Sequence, residues 1–138
     1  MSDATTEFGV NAARRLKEEQ IIWLTTVRDD GIPQPTPVWF IWDGETFLIY
    51  SQPKAQKIRN LAHNQRVALN LNSDAEGGNI LIIFGQARID PGVPLAYLNP
   101  DYLEKYRIGI ADIEMTPENM SIEYSTAIRV TPEHVRSF

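Results

Sequence analysis

Between Ile32 and Trp42 every second position from 33 to 37 is proline, Pro33, Pro35 and Pro37, and this spacing constrains the fold more than any other feature. In an extended strand all three missing N–H groups face the same in-plane side, so that edge cannot join a full ladder. The opposite edge keeps the N–H groups of Gln34, Thr36 and Val38. The stretch is therefore predicted to be a strand with one edge unpaired. Two uses of such an edge carry equal weight. Prolines blunt it against aggregation, and a flat ligand gains a place to lie beside backbone polar groups. Val38, Phe40 and Trp42 alternate with Trp39 and Ile41 to give an apolar wall next to it, whose aromatics are expected mainly in the core.

A second stretch, Tyr50 to Leu61, carries the candidate chemistry: Tyr-Ser-Gln-Pro-Lys-Ala-Gln-Lys-Ile-Arg-Asn-Leu. Thr46 to Ser51 alternates like a half-buried strand. Ser51 or Gln52 can cap a helix that starts near Pro53, where a missing N–H costs nothing. Lys54 and Lys57 then stand three residues apart at the positive end of the helix dipole, which disfavours cations by about 0.3–1 kcal/mol. An anion held by free N–H groups, the Ser51 hydroxyl and an ammonium offsets that cost, and phosphate is the usual one. Solvated lysines on a surface helix explain the same residues. From Thr46 through Ser73 there is no Asp or Glu, whereas Lys54, Lys57, Arg59 and Arg66 all occur, in a chain of formal net charge -5. Basic charge concentrated locally favours a small anionic ligand over nucleic acid.

The 138 residues suit one domain, 1–138, able to bury a core without metal or disulfide. No cysteine is present, so disulfides, thiolate metal sites and a cysteine nucleophile are excluded. His63 and His134 lie far apart and in no metal-ligand spacing, and no metal site is expected. No apolar run approaches the roughly 18 residues of a membrane span, and the first residues lack a basic-then-apolar leader; a cytoplasmic protein is expected.

In chain order, a helix is predicted from about Thr6 to Glu19, with Phe8, Ala12, Ala13 and Leu16 inward. A strand follows over Gln20–Arg28, then the proline strand, and Asp43-Gly44 as a two-residue hairpin joining it to the strand over Thr46–Ser51. The basic helix presents Ala55, Ile58, Leu61 and Ala62 inward. Strands are predicted over Arg66–Asn72 and over Ile80–Ile89, the latter central and buried on both faces, with Gly85 marking a bulge, a corner or a close approach. Asn99-Pro100 starts a helix reaching about Ile110, Thr116-Pro117 starts a short turn, and Ile122–Thr131 is the last strand. Six strands with few long crossovers give an α+β, mainly antiparallel, barrel-like sheet with flanking helices.

There is no Gly-x-Gly-x-x-Gly, no Gly-Lys-Ser/Thr loop and no Gly-x-Ser-x-Gly elbow. Asp29-Asp30 and the pair Asp112 and Glu114 fall in expected turns and are read as solvated acids. No catalytic acid, base or nucleophile is identified, the pattern expected when a bound cofactor carries the chemistry.

The N-terminal helix, the strand Ile21–Val27, Pro35-Thr36-Pro37-Val38-Trp39-Phe40, Asp43-Gly44, Tyr50-Ser51 followed by Lys57-Ile58-Arg59-Asn60-Leu61, and the closing Ile128-Arg129-Val130-Thr131-Pro132 together resemble one family. It is the split β-barrel flavin- and deazaflavin-binding superfamily of pyridoxamine phosphate oxidase, and the resemblance covers nearly the whole chain. Within it the chain looks most like the small oxidoreductases that use coenzyme F420. The resemblance implies that Ser51 and Lys57 hold the cofactor phosphate with Gln52 and Lys54 near it, and that Thr36, Pro37, Val38 and Trp39 border the tricyclic ring. It implies a homodimer with the cofactor at the interface, where Gln86 or residues near Tyr102 and Tyr106 contact a cofactor bound mainly by the other chain. Pyridoxamine phosphate oxidase itself is a poorer match, because the chain is short for it and its extra substrate-phosphate residues have no counterpart here. The implied activity is hydride transfer between F420 and a small organic molecule. FMN in the same fold, a non-catalytic flavin or tetrapyrrole binder, and an unliganded structural dimer are the alternatives.

Overall fold

The computed structural model describes residues 9–137. Among them seven strands form one antiparallel sheet in the order β2-β1-β5-β6-β7-β4-β3. The strands are β1 (Ile22–Val27), β2 (Pro33–Val38), β3 (Ile41–Trp42), β4 (Phe47–Ser51), β5 (Arg66–Asn70), β6 (Leu81–Ile89) and β7 (Thr126–Ser137). Helices are α1 (Val10–Glu18), α2 (Gln56–His63), α3 (Pro100–Asp112) and α4 (Pro117–Glu123), with a 3-10 turn at Ala96–Leu98. The first three residues of the expected Thr6–Glu19 helix, Phe8 among them, lie outside the described residues.

The α+β split-barrel fold is as expected, with seven strands instead of six because the proline strand divides. β2 forms one edge and pairs only with β1, through Ile22 opposite Val38 down to Val27 opposite Pro33. β3 forms the other edge beside β4. Only Trp39 and Phe40 join the two edges, and the three backbone steps from Val38 to Ile41 reach about 11 Å at most. The sheet must therefore curl until its edges meet. Tyr106 satisfies the backbone at the break: its hydroxyl accepts from Phe40 N–H at 2.7 Å and lies 2.8 Å from both the Phe40 and Gln20 carbonyls, its one proton shared between them. The hairpin pairing holds for β3 alone, and its loop is four residues, with Asp43 accepting from the N–H groups of Glu45 and Thr46.

Curling sends one face of each strand inward. Ile22, Leu24, Ile49, Leu69, Ile83, Ile128 and Val130 fill the barrel, with Leu16 of α1 and Leu61 of α2 closing onto them. Each such side chain contributes about 1.5–3 kcal/mol on burial. A second core lies between the sheet and the C-terminal helices, where Leu48 and Tyr50 meet Tyr102, Tyr106, Ile110 and Met120. β4 is thus buried on both faces, not half-buried, because it separates the two cores.

Other expectations are corrected by packing. α2 begins at Gln56 after a turn through Pro53 and Lys54, with Ala55 as N-cap and no side-chain cap. On α2 the inner position falls to Asn60 and not to Ala62, which is exposed. On α1 Arg15, not Ala13, is buried, since its guanidinium reaches the carbonyls of Asn79 and Asn72 and the Glu19 carboxylate. β6 is central but open on its outer face, where Phe84, Gln86 and Arg88 are exposed, and Ile89 is exposed at the strand's end. The last strand starts at Thr126, and Ile122 lies exposed on α4. Gly85 does mark a bulge: pairing to β7 shifts between Phe84 opposite His134 and Gly85 opposite Pro132. Asn99 caps α3 with its side chain as predicted, and Thr116 caps α4 in the same way, a helix of seven residues instead of the expected short turn.

Candidate functional site

Where β2 ends, the missing edge neighbour leaves a cleft of about 360 Å³. Its walls are Pro37, Val38 and Trp39 from the strand end, Tyr50, Ser51 and Gln52 from the end of β4, and Ala55 and Lys57 from the start of α2. Ile21 and four residues of the C-terminal helices and the turns that follow them, Tyr102, Ile113, Met120 and Tyr124, complete it. A second cleft, also of about 360 Å³, lies along the proline edge and is lined by Pro33, Gln34, Pro35, Thr36, Gln56 and Lys57 among others. Lys57 lines both.

Of the eight predicted site residues, Pro37, Val38, Trp39, Ser51, Gln52 and Lys57 meet in the first cleft, and Thr36 lies in the second. Lys54 lines neither; it is exposed in the turn, and its carbonyl accepts from Arg59 at 2.6 Å. Ser51 is buried as β4 enters the turn, and its hydroxyl donates to the Gln52 carbonyl at 2.9 Å instead of capping α2. It can redirect that proton to an anion by rotating about one bond. In the uncapped first turn of α2 Ile58 N–H donates to the Ala55 carbonyl, and the N–H groups of Gln56 and Lys57 are left for solvent or an anion.

Among the described residues no carboxylate lines either cleft, and Lys57 is the only cation lining them. Burial pushes the Lys57 ammonium below the ordinary lysine pKa, with no charged neighbour to restore it. A half-buried cation without a counter-ion beside an uncapped helix start is arranged to receive an anion. Thr36 Oγ1 is the one buried side-chain polar atom without a partner among the described residues, a state that costs about 1–3 kcal/mol. It sits in the strand that borders both clefts, so the protein alone does not satisfy this wall.

The aromatic wall is a chain of ring contacts. Trp39 stacks on Tyr106 at 4.7 Å and 4° between planes, Tyr106 packs tilted by 40° against Tyr102 at 4.8 Å, and Tyr102 meets the edge of Tyr50 at 5.0 Å. The Tyr50 hydroxyl donates to the Pro94 carbonyl and accepts from Asn99. Tyr106 is fully buried and serves the core, Tyr102 lines the first cleft, and Gln86 is exposed on the outer face of β6. Sequence reasoning missed the helical floor, Ile113, Met120 and Tyr124. Asn99-Pro100 and Thr116-Pro117 announce a helix and a turn but do not say which face meets β4. An apolar, aromatic cleft with one cation at its end fits a planar ring system that carries a phosphate.

The sequence profile of the pyridoxamine 5'-phosphate oxidase family matches residues 10–138. No curated protein matches the chain significantly. Among solved structures, the chain is similar to the conserved protein Rv2991 from Mycobacterium tuberculosis, with 21% identity, TM-score 0.73, and 100% of this chain and 88% of that one covered. It is similar to an F420 reductase at 25% identity and TM-score 0.67, covering 89% and 94%. The heme storage protein HutZ from Vibrio cholerae shares the fold at 16% identity and TM-score 0.65, covering 93% of each chain.

Proposed function

The chain belongs to the pyridoxamine 5'-phosphate oxidase family, and from that premise we propose that it is an oxidoreductase that binds F420 and passes a hydride between it and a small organic molecule. The observation that carries this reading is Lys57, a half-buried ammonium with no counter-ion, at the junction of an aromatic cleft and an uncapped helix. Likeness to an F420 reductase supports the deazaflavin over FMN, which is the alternative in the same site. Lys57, Ser51 and the first turn of α2 hold the phosphate, with Gln52 beside them and Lys54 on the solvent side. Pro37, Val38 and Trp39 hold the ring, with Thr36 in the adjoining cleft. The bound deazaflavin supplies the hydride. The chain's own residues fix the ring against the aromatic wall, exclude water from one side of it and leave the other open to substrate. A homodimer belongs to this reading: Phe84 exposes apolar surface on the outer face of β6, which a second copy would cover.

Calorimetric titration with F420 and FMN in parallel tests the cofactor, and turnover with a reduced donor separates an enzyme from a carrier. Preference for F420 with turnover is expected. Preference for FMN moves the assignment to the flavin, binding without turnover makes the protein a carrier, and binding of neither cofactor overturns the proposal.

Affinity is also expected to fall at alkaline pH. Burial holds the pKa of Lys57 below the ordinary lysine value, so the ammonium that receives phosphate is lost as pH rises through that lowered pKa, earlier than for an exposed lysine. Lys57→Arg keeps its charge throughout and should flatten the alkaline limb of the affinity profile. An equally steep limb in the arginine variant would assign the titration to another group.

A further inference from the structure

We propose that Asn60 is a positioning residue that sets the spacing between the phosphate end and the ring end of the cleft; this rests on the cofactor reading above. The two ends belong to different elements. Lys57 is on α2, whereas Pro37 and Val38 are on β2, an edge strand whose only ladder neighbour is β1. No backbone ladder joins β2 to α2.

Side-chain amides do. Asn60 is almost fully buried, and its Nδ2 donates to Thr26 Oγ1 on β1 at 2.9 Å and to Gln34 Oε1 on β2 at 3.0 Å. Its Oδ1 accepts from Gln56 Nε2 at 2.8 Å, and Gln56 Oε1 in turn accepts from Arg59. A continuous hydrogen-bonded path therefore runs from the first turn of α2 to the edge strand. Thr26, Gln34 and Gln56 also line the second cleft alongside Lys57.

The chemistry of the bridge is demanding. It needs two donors and one acceptor in one short side chain, which among neutral residues of this size asparagine alone provides. Burying an amide mid-helix is unfavourable unless every group is partnered. Asn60 is one helical turn from Lys57, and Gln34 is three residues from Pro37, so displacement of either end of the bridge shifts the ammonium relative to the ring wall. Shifts of about 1 Å are enough to weaken a positioned contact.

The test measures the advantage that phosphate confers: the ratio of riboflavin to FMN dissociation constants, and of phosphate-free deazariboflavin to F420. It is determined for the wild type, Asn60→Leu and Gln34→Ala. Gln34→Ala cuts only the link to β2 and leaves Asn60 bonded to Thr26 and Gln56, so it remains informative if Asn60→Leu fails to fold. Each variant is expected to lower the ratio about tenfold while affinity for the phosphate-free ligands stays within about twofold. Combined with Lys57→Ala, neither should lower the ratio further. A lower melting temperature with an unchanged ratio would assign Asn60 a purely structural role and overturn the proposal. A wild type with no phosphate advantage overturns the cofactor reading itself, and with it this inference, independently of any Asn60 variant.

Discussion

Replacing Lys57 with alanine is expected to weaken binding of F420 or FMN by about 10- to 100-fold, the range set by losing a hydrogen bond from a charged group, about 1.5–3 kcal/mol. The effect is large because no other cation among the described residues lines either cleft. The remaining first-turn N–H groups of α2 and the Ser51 hydroxyl supply only neutral donors. Folding should improve slightly, since removing a half-buried ammonium relieves the desolvation that lowers its pKa. Calorimetric titration together with a melting curve therefore gives opposite signs for binding and stability. Unchanged affinity would remove the phosphate from this end of the cleft and leave Lys57 a surface lysine.

Gly85→Ala is expected to destabilise the fold by about 3 kcal/mol, a fall of about 10 °C in Tm, through overpacking against main chain. A Cβ at this position would stand 2.3 Å from the Thr131 carbonyl oxygen and 3.1 Å from Pro132 Cα. Both are backbone atoms of β7, so relief requires the two central strands to separate where their register shifts. Those strands carry Ile83, Ala87, Ile128 and Val130 into the barrel, and separation loosens that core. Thermal denaturation checks this. A melting temperature within about 2 °C of wild type would mean that the bulge relaxes freely and that Gly85 is not required by the close approach.

Several features were legible in the sequence because they depend on single residues or short spacings. Three prolines at alternate positions removed every N–H from one side of a strand, and β2 is an edge. Asn99 before proline announced the start of α3, and Thr116 before proline announced a turn where α4 starts. Gly85 signalled the bulge. The absence of acids from Thr46 to Ser73 marked where an anion could sit, and six of the eight residues assigned to the site line one cleft.

What the sequence determined, then, was local: which N–H groups were missing, which residues capped helices, where positive charge gathered, and a pattern of pieces matching one family. Long-range packing decided the rest. The proline strand is continuous in alternation, but a curled sheet needs its two edges joined, so Trp39 and Phe40 leave the ladder and Tyr106, 66 residues from Phe40, satisfies the backbone there. Lys54 and Lys57 read alike in sequence, yet the turn before α2 leaves one in solvent and brings the other to the junction of two clefts. Asn60 looks like a polar residue on an amphipathic helix until Thr26 and Gln34 are folded against it. Periodicity reports which way a side chain points along its own element; only the tertiary structure supplies the partner that makes burial of a charge or an amide tolerable.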